Sequence, residues 1–352
     1  FAGGALAAEP LSFTQDVRPI LSQHCFKCHG PDEITREGGL RLDLWESASS
    51  PADSGRIAIV PGATTDSELA RRIRADEDEL MPPPSSNLSL SETQKAVLER
   101  WIQEGAAFET HWAFRLPQKV EPAAVEDDRW DRSAIDRFAF AKLAELGLKP
   151  QDPSNPYEQI RRVFLDLTGL PPTTQDADRF ADNPSDEAYE QIVDDLLRSP
   201  GYSERWARKW MDLARYADTN GYEKDRVRTI WPYRDWVVSA FNRNLGFDQF
   251  TIEQLAGDLL PNASQDQIVA TGFNRCNVTT GEGGSIDAEF IYRYAVDRAS
   301  TTAQAWMGLT AGCAVCHDHK YDPLTTKEFY SLYAFFHSSA DPAMDGNVLL
   351  RL

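Results

Sequence analysis

Apolar residues recur at intervals of three and four along most of the 352-residue chain, which is the spacing of amphipathic helices. Val17, Ile20 and Leu21 form one such face, which leads directly into the first pair of cysteines. Behind the capping-box sequence Ser91-Glu-Thr-Gln94, another apolar face continues to Ile102. The sequence has no strong series of β-strand patterns and no internal repeat beyond its cysteine motifs, so we predict a mainly α fold.

A stretch without apolar periodicity interrupts this pattern. It contains Pro117, Pro122 and an acidic run that begins at Glu126, which is typical of a linker. The predicted organisation, in chain order, is a signal-peptide remnant (1–8), a small domain (9–115), a linker (116–132), a larger helical domain (133–345), and a tail or the start of a further region (346–352).

The larger domain reads as a series of amphipathic helices, one of which carries the tryptophan-rich segment from Arg205 to Tyr216. The apolar spacing from Asp287 to Leu309 predicts one long helix that leads the chain to Cys313. A capping-box pattern that begins at Thr325 predicts the start of a last, aromatic-rich helix. A helix is thus expected to precede each pair of cysteines.

Composition narrows the class of protein. With 41% hydrophobic and 26% charged residues, the chain is typical of a folded globular protein rather than a disordered or fibrous one. A net charge of −19 argues against nucleic acid and anionic membrane surfaces as partners, because both would repel the chain. No stretch approaches the roughly 20 consecutive apolar residues of a transmembrane helix, so none is expected in this chain.

The first residues are small and apolar, and Ala5-Leu6-Ala7 matches an A-x-A cleavage site. We interpret them as the end of a secretory signal peptide, with a floppy terminus as the alternative. The predicted location is therefore the periplasm or another exported compartment.

Two pentapeptides, Cys25-Phe-Lys-Cys28-His29 and Cys313-Ala-Val-Cys316-His317, share the pattern C-x-x-C-H. In c-type haem sites of this pattern, two cysteines attach the haem and the adjacent histidine is the proximal ligand of the iron. The sequence therefore predicts two covalently bound haem c groups, the second less firmly than the first. His29 and His317 are the predicted iron ligands.

Two alternatives use the same cysteines. A zinc site could be built from the two C-x-x-C pairs, and a pair of redox disulfides could form in an oxidising compartment. Neither alternative explains why a histidine follows both pairs directly, so we favour haem.

A second axial ligand is expected for the first iron. Met81 is the candidate, because it lies in Leu80-Met81-Pro82-Pro83-Pro84, where prolines would stiffen the loop; a gap-filling loop residue is the alternative. No second axial ligand stands out for the second iron, so an open, five-coordinate iron is also a hypothesis. His319 is only two residues past His317 and cannot easily reach around the porphyrin edge, so we expect it near a propionate or in a pocket. The weaker candidates for the second iron are His337, Met307, Met211 and His111.

Other residues give weaker indications. Cys276 is the remaining cysteine, and a buried, unreactive thiol is its default interpretation. A mixture of polar and aromatic residues is typical of a carbohydrate pocket, and equally of an ordinary helix end. That mixture consists of Asp218, Asn220, Tyr222, Glu223, Trp206, Trp210 and Arg215.

With these motifs the chain resembles the planctomycete-type cytochrome c family, in which a small cytochrome domain precedes a larger helical domain of unknown function. The resemblance covers nearly the whole chain. The matching segments are 13–29, 80–83, 169–172, 205–216, 282–284, 306–310 and 313–323. The resemblance implies a class-I-like cytochrome c domain with haem at the first motif, His29 and Met81 as axial ligands, and an exported location.

Three functions are compatible with these residues. The leading hypothesis is electron transfer through covalently bound haem to or from a redox partner protein or electron acceptor. The first alternative is a haem-dependent oxidoreductase in which an open second haem carries out chemistry. The second is a carbohydrate-directed module with a glycan substrate, coupled to a cytochrome as its electron outlet. Whether the protein is an enzyme is left open.

Overall fold

The computed structural model describes residues 10–76, 78–125, 127, 129–222, 225–339 and 341–344. The predicted signal-peptide remnant (1–8), the predicted terminal region (346–352) and Glu223 lie outside the described residues. Within them the fold is mainly helical, which confirms the predicted fold class. The described residues form no β-strand, only isolated bridges such as the one between Thr219 and Val227.

Contacts within the chain separate two compact units. The first contains the described residues up to Val120 together with Cys316–Thr326, and the second contains Glu121–Val315 with the described residues from Lys327 onward. Within the first unit, Nη2 of Arg18 donates a hydrogen bond to the carbonyl of Tyr321 at 2.5 Å. The segment after the second cysteine motif therefore packs with the first unit, which the sequence did not indicate. The domain boundaries given above stay a prediction.

The helices of the first unit surround one apolar core. Trp101, Leu98 and Ile102 lie on the inner face of the longest of them and are almost fully buried, as their spacing predicts. Phe13 packs on Trp101 with ring centroids 5.5 Å apart and thereby joins both ends of this unit. The helices are α1 (Arg18–His24), α2 (Phe26–His29), α3 (Trp45–Ala48), α4 (Glu68–Arg72) and α5 (Glu92–Gln103).

The predicted capping box at the start of α5 is present. The Ser91 hydroxyl accepts a hydrogen bond from the Gln94 backbone, and the Gln94 side chain accepts one from the Ser91 backbone. Two N–H groups that the helix leaves unpaired are thereby satisfied.

The second unit is built from longer helices whose N-caps are mostly Ser, Thr or Asn. These side chains accept hydrogen bonds from first-turn N–H groups, which fixes where each helix begins. The helices are α6 (Ala134–Glu145), α7 (Pro156–Thr168), α8 (Thr174–Asp182), α9 (Asp186–Leu197), α10 (Pro200–Ala214), α11 (Trp231–Asn242), α12 (Phe247–Ala256), α13 (Gln265–Ala270), α14 (Asp287–Thr302) and α15 (Thr326–His337).

An aromatic core holds α10, α11 and α12 together. Trp210 packs edge-on against Phe250 with centroids 4.8 Å apart, and its indole N–H donates to Gln254 Oε1 at 2.7 Å. The Tyr233 hydroxyl donates to the same oxygen at 2.7 Å. The buried amide of Gln254 thus satisfies two aromatic polar groups that would otherwise lack partners.

The segment that leads to the second cysteine motif differs from its prediction. Helix α14 ends at Thr302, a π-helical turn follows over Ala303–Met307, and Gly308 leaves it with φ of 66°. The prediction of one helix from Asp287 to Leu309 is therefore too long, because apolar spacing does not distinguish an α-helix from a π-turn that continues it.

No helix in the described part of the chain combines the length and apolar character that crossing a membrane requires.

Candidate functional site

The first C-x-x-C-H motif forms a tight turn between two helices. Helix α1 ends at His24, and α2 is a single turn that begins directly after Cys25. The carbonyl of Cys25 accepts hydrogen bonds from the backbone N–H groups of Cys28, at 3.1 Å, and His29, at 2.9 Å. The turn fixes the backbone positions of all three motif residues relative to one another.

The His29 ring is held by a backbone carbonyl. Its Nδ1 lies 3.2 Å from the carbonyl oxygen of Glu37, and burial lowers the pKa of the ring. The imidazole is therefore neutral at physiological pH, with its proton on Nδ1 for donation to that carbonyl. This leaves the Nε2 lone pair available for a ligand.

The loop that supplies this carbonyl is tied back to the motif on both sides. The Glu37 N–H donates to the Cys28 carbonyl at 2.8 Å, and the Leu42 N–H donates to the His29 carbonyl at 2.9 Å. Sequence reasoning missed Glu37 because it acts through its main chain, so its side chain gives no signal.

Three of the predicted residues, Cys25, His29 and Met81, line the same cavity. Much of the remaining lining is apolar, and charged groups lie among it. The apolar residues include Leu40, Leu42, Ala58, Leu69 and Ile73, and the charged ones are Arg56, Glu68 and Arg72. Residues separated by more than fifty positions in the sequence thus meet around one apolar space.

Met81 is held against α4. Its backbone N–H donates to the Arg72 carbonyl at 3.0 Å. The Arg72 side chain in turn donates from Nη1 to the Glu79 carbonyl at 3.3 Å, and its Nε lies 2.8 Å from the Glu68 carboxylate. These bonds place the loop that carries Met81 at the wall of the cavity.

Glu68 is the centre of the charged part of the lining. Hydrogen bonds from Arg71, Arg72 and Arg56 lower the pKa of its carboxyl to about 2. The carboxylate stays ionised at any physiological pH and fixes the directions of these arginine side chains. The sequence offers only ordinary i,i+3 and i,i+4 charge pairs as a signal for this cluster.

The second motif lies in a different environment. Cys313 belongs to a 3₁₀ turn over Ala311–Val315, and Cys313, Cys316 and His317 are all exposed. Nδ1 of His317 lies 2.8 Å from the carbonyl of Asp318. As in His29, a backbone carbonyl faces Nδ1, which leaves Nε2 available.

His319 has a local structural role. Its ring is buried, and Nδ1 accepts hydrogen bonds from the backbone N–H groups of Tyr321, at 3.1 Å, and Asp322, at 2.7 Å. The nearby Asp318 carboxylate accepts the N–H of Thr326 at 2.7 Å, at the start of α15. His319 therefore organises this loop through Nδ1.

The other candidates for a second axial ligand are scattered. Nδ1 of His337 lies 2.7 Å from the Tyr333 hydroxyl, and His111 Nδ1 accepts the Ala113 N–H at 3.3 Å. Met307 is exposed, whereas Met211 packs at the edge of the aromatic core. None of these four is placed in the cavity lined by Met81.

The five cysteines are unpaired in this structure. Among the described residues, no group of three or more Cys, His, Asp and Glu side chains is arranged to hold a metal ion.

The residues of the predicted carbohydrate pocket differ in burial and in their partners. Trp210 and Asn220 are buried, and the Trp210 indole is committed to the aromatic core. Tyr216 donates from its hydroxyl to Asp218 at 2.7 Å, and Lys209 stacks over Trp206. Trp210 is therefore a core residue, and its part in the pocket prediction is not supported.

Two family models match the chain. The one described as "Planctomycete cytochrome C" matches residues 25–85, which contain the first cysteine motif and Met81. The one described as "Protein of unknown function (DUF1549)" matches residues 134–341. Among curated proteins and solved structures no match was found.

Thiol reactivity tests the difference between the two motifs in haem-free protein. Burial raises the pKa of Cys25 and of Cys276 to about 12, and only the thiolate reacts with iodoacetamide. At pH 8 a thiol with that pKa is ionised in only about one molecule in 10⁴. We expect the exposed Cys313 and Cys316 to be alkylated first, and Cys25 and Cys276 to react only as the pH approaches 12.

The rates are measured by peptide mapping with mass spectrometry over time. Protein unfolded in urea is the control, in which the five cysteines should react at similar rates. Alkylation of Cys25 or Cys276 in the folded chain as fast as that of Cys313 would contradict the burial of these two thiols.

Proposed function

Because the chain belongs to the family described as a protein of unknown function (DUF1549) and carries a planctomycete cytochrome c domain ahead of that match, we propose that it is an exported c-type cytochrome that transfers electrons. The cytochrome c match implies a haem-c-binding protein. The observation that carries the proposal is the cavity in which Cys25, His29 and Met81 meet.

The residues around this cavity fit haem c. Cys25 and Cys28 supply thiols within one turn, His29 supplies a neutral imidazole, and Met81 supplies a thioether in the wall of the cavity. The apolar lining suits the flat macrocycle and excludes water from it. A haem bound here would supply one-electron chemistry at its iron, tuned by its axial ligands and by burial.

The protein's own residues would then set the properties of the site. The Glu37 carbonyl orients His29 and raises its basicity through Nδ1, and the main-chain bond from Met81 to Arg72 holds the backbone of the loop that carries the thioether. Glu68 keeps Arg56 and Arg72 paired at the cavity, so their positive charge is partly neutralised. No side chain needs to act as a general acid or base in this function.

We propose a second haem c at Cys313, Cys316 and His317. The sequence pattern and the matching environment of Nδ1 in both histidines support it. A redox partner protein or electron acceptor would exchange electrons with the chain, and an exported location agrees with the cytochrome c family.

One observation favours the alternative of a haem-dependent oxidoreductase. Cys313, Cys316 and His317 are exposed, so these residues would not shield a bound group from water and small solutes. Electron paramagnetic resonance of the ferric protein separates the two functions. Two low-spin irons are expected for electron transfer, whereas a high-spin signal that disappears in the variant His317→Ala would favour the oxidoreductase.

Replacing Met81 tests the first site. A methionine ligand raises the reduction potential relative to sites that lack it, so Met81→Ala should lower the potential and convert one iron to high spin. Spectroelectrochemical titration of the haem-loaded protein measures both changes. Met344→Ala is the control, since Met344 is exposed and is not in this cavity. An unchanged potential and spin state in Met81→Ala would rule out Met81 as a ligand.

A further inference from the structure

Several arginine side chains converge inside the second unit, away from either cysteine motif. Arg228 and Arg298 are each only 5% exposed, and burial, together with the positive charges of these two arginines, lowers the pKa of Arg215 to about 10. Asn277 links them, because its carbonyl accepts from Arg228 at 2.9 Å and its side-chain oxygen accepts from Arg298 at 3.2 Å. Arg275 lies at the same place, and its carbonyl accepts a further bond from Arg228 at 2.7 Å.

The carboxylates within the described residues that pair with this cluster are fewer than its guanidinium groups. Asp341 pairs with both Arg298, at 2.9 Å, and Arg275, at 3.1 Å. Asp297 pairs with Nη1 of Arg215. Arg228 donates to neutral oxygens of the main chain and of Thr279. Counted over the described residues, the ion pairs therefore leave the cluster with an excess of positive charge.

The neighbouring acidic groups do not remove this excess. Cys276 and Tyr233 face the same arginines, and burial raises the pKa of the thiol to about 12 and that of the phenol well above its ordinary value. Both groups are neutral at physiological pH. An uncompensated buried positive charge is costly, so an anion at this place would be strongly favoured.

The geometry of Arg215 shows where an anion would sit. Its Nη1 is used by Asp297, while Nε and Nη2 are buried and lack hydrogen-bond partners in the described structure. Nε–H and Nη2–H form one edge of the planar guanidinium, the edge that binds two oxygens of a carboxylate or phosphate in parallel. Nε of Arg228 is also buried without a partner.

Arg215 also has an unusual backbone and lies at the edge of the cluster. It ends α10 in the left-handed region with φ of 61°, which is unfavourable for a residue other than glycine. Its side chain is 27% exposed and that of its partner Asp297 is 43% exposed, so this ion pair is the part of the cluster that faces solvent.

We propose that Arg215 and Arg228, supported by Arg298, form a binding site for an oxyanion group, a carboxylate or a phosphate, of a ligand that enters at Arg215. The free edge of Arg215 binds two oxygens of the anion, and Nε of Arg228 contributes a third donor. The site lies inside the segment 134–341 and uses no haem-binding residue, so it is independent of the proposed electron transfer.

The test is isothermal titration calorimetry of the full, haem-loaded chain with acetate and, separately, with inorganic phosphate. Saturable binding of at least one anion is expected. Arg215→Gly should weaken it about tenfold or more, because charge-assisted hydrogen bonds contribute the equivalent of tenfold or more in affinity. Glycine adopts a positive φ without strain, so this variant should keep the end of α10 intact.

Two further variants sharpen the test. Arg215→Lys keeps the charge but loses the two-donor edge, so it should also bind weakly. Arg198→Gln, which removes an exposed arginine paired with Asp195, should bind as the unaltered chain does. The proposal is overturned if neither anion binds saturably to the unaltered chain, or if Arg215→Gly binds equally well. Preference for acetate over phosphate, or the reverse, identifies the ligand's anionic group.

Discussion

The hydrogen bond between Nδ1 of His29 and the carbonyl of Glu37 is the interaction on which the first site depends. It sets the tautomer of the imidazole and turns Nε2 away from the loop, while the main-chain bonds of Glu37 and Leu42 keep that loop against the cysteine turn. Because the histidine is fixed in this way, the cavity that Met81 lines also contains an imidazole in a defined orientation. Without this hydrogen bond, the imidazole could rotate, and the cavity would lack a nitrogen ligand in a fixed orientation.

The interior of the second unit contains both an aromatic core and a cluster of arginine side chains. In its aromatic core, the amide oxygen of Gln254 satisfies the polar groups of Trp210 and Tyr233, whereas the indole N–H of Trp236 is buried without a partner among the described residues. Arg215 and Arg228 likewise retain buried donors that have no partner in the part of the chain that the structure describes. What distinguishes the two arginines is that their unpaired donors carry positive charge, and this is the basis on which we propose an anion site there.

Much of the first site could be predicted from the sequence because its chemistry is local. The spacing of Cys25, Cys28 and His29 is itself the motif, and the apolar face before it predicts α1. Met81 could be proposed from its proline-rich loop, although its position in the cavity depends on the distant α4. The role of Glu37 could not be predicted, since any residue has a carbonyl.

The interior of the second unit was much harder to predict. Trp210 and Arg215 lie in one segment, and the sequence places both in a candidate carbohydrate pocket. In the structure, Trp210 packs in the aromatic core, whereas Arg215 belongs to a charged cluster. Residues of that cluster lie more than eighty positions apart in the sequence. Helical periodicity relates only residues a few positions apart, so it cannot predict that these residues meet. The length of the helix before Cys313 was also overestimated, because the π-turn continues its apolar spacing.

We propose that the chain holds haem covalently at Cys25 and Cys28, with His29 and Met81 beside it. This can be measured by mass spectrometry of the protein produced in a periplasm with cytochrome c maturation, on the intact chain and on its proteolytic peptides. We expect one haem on the peptide that contains Cys25 and Cys28, and a second on the peptide that contains Cys313 and Cys316. A matured protein whose Cys25 and Cys28 peptide carries no haem would show that the first site is not a haem c site.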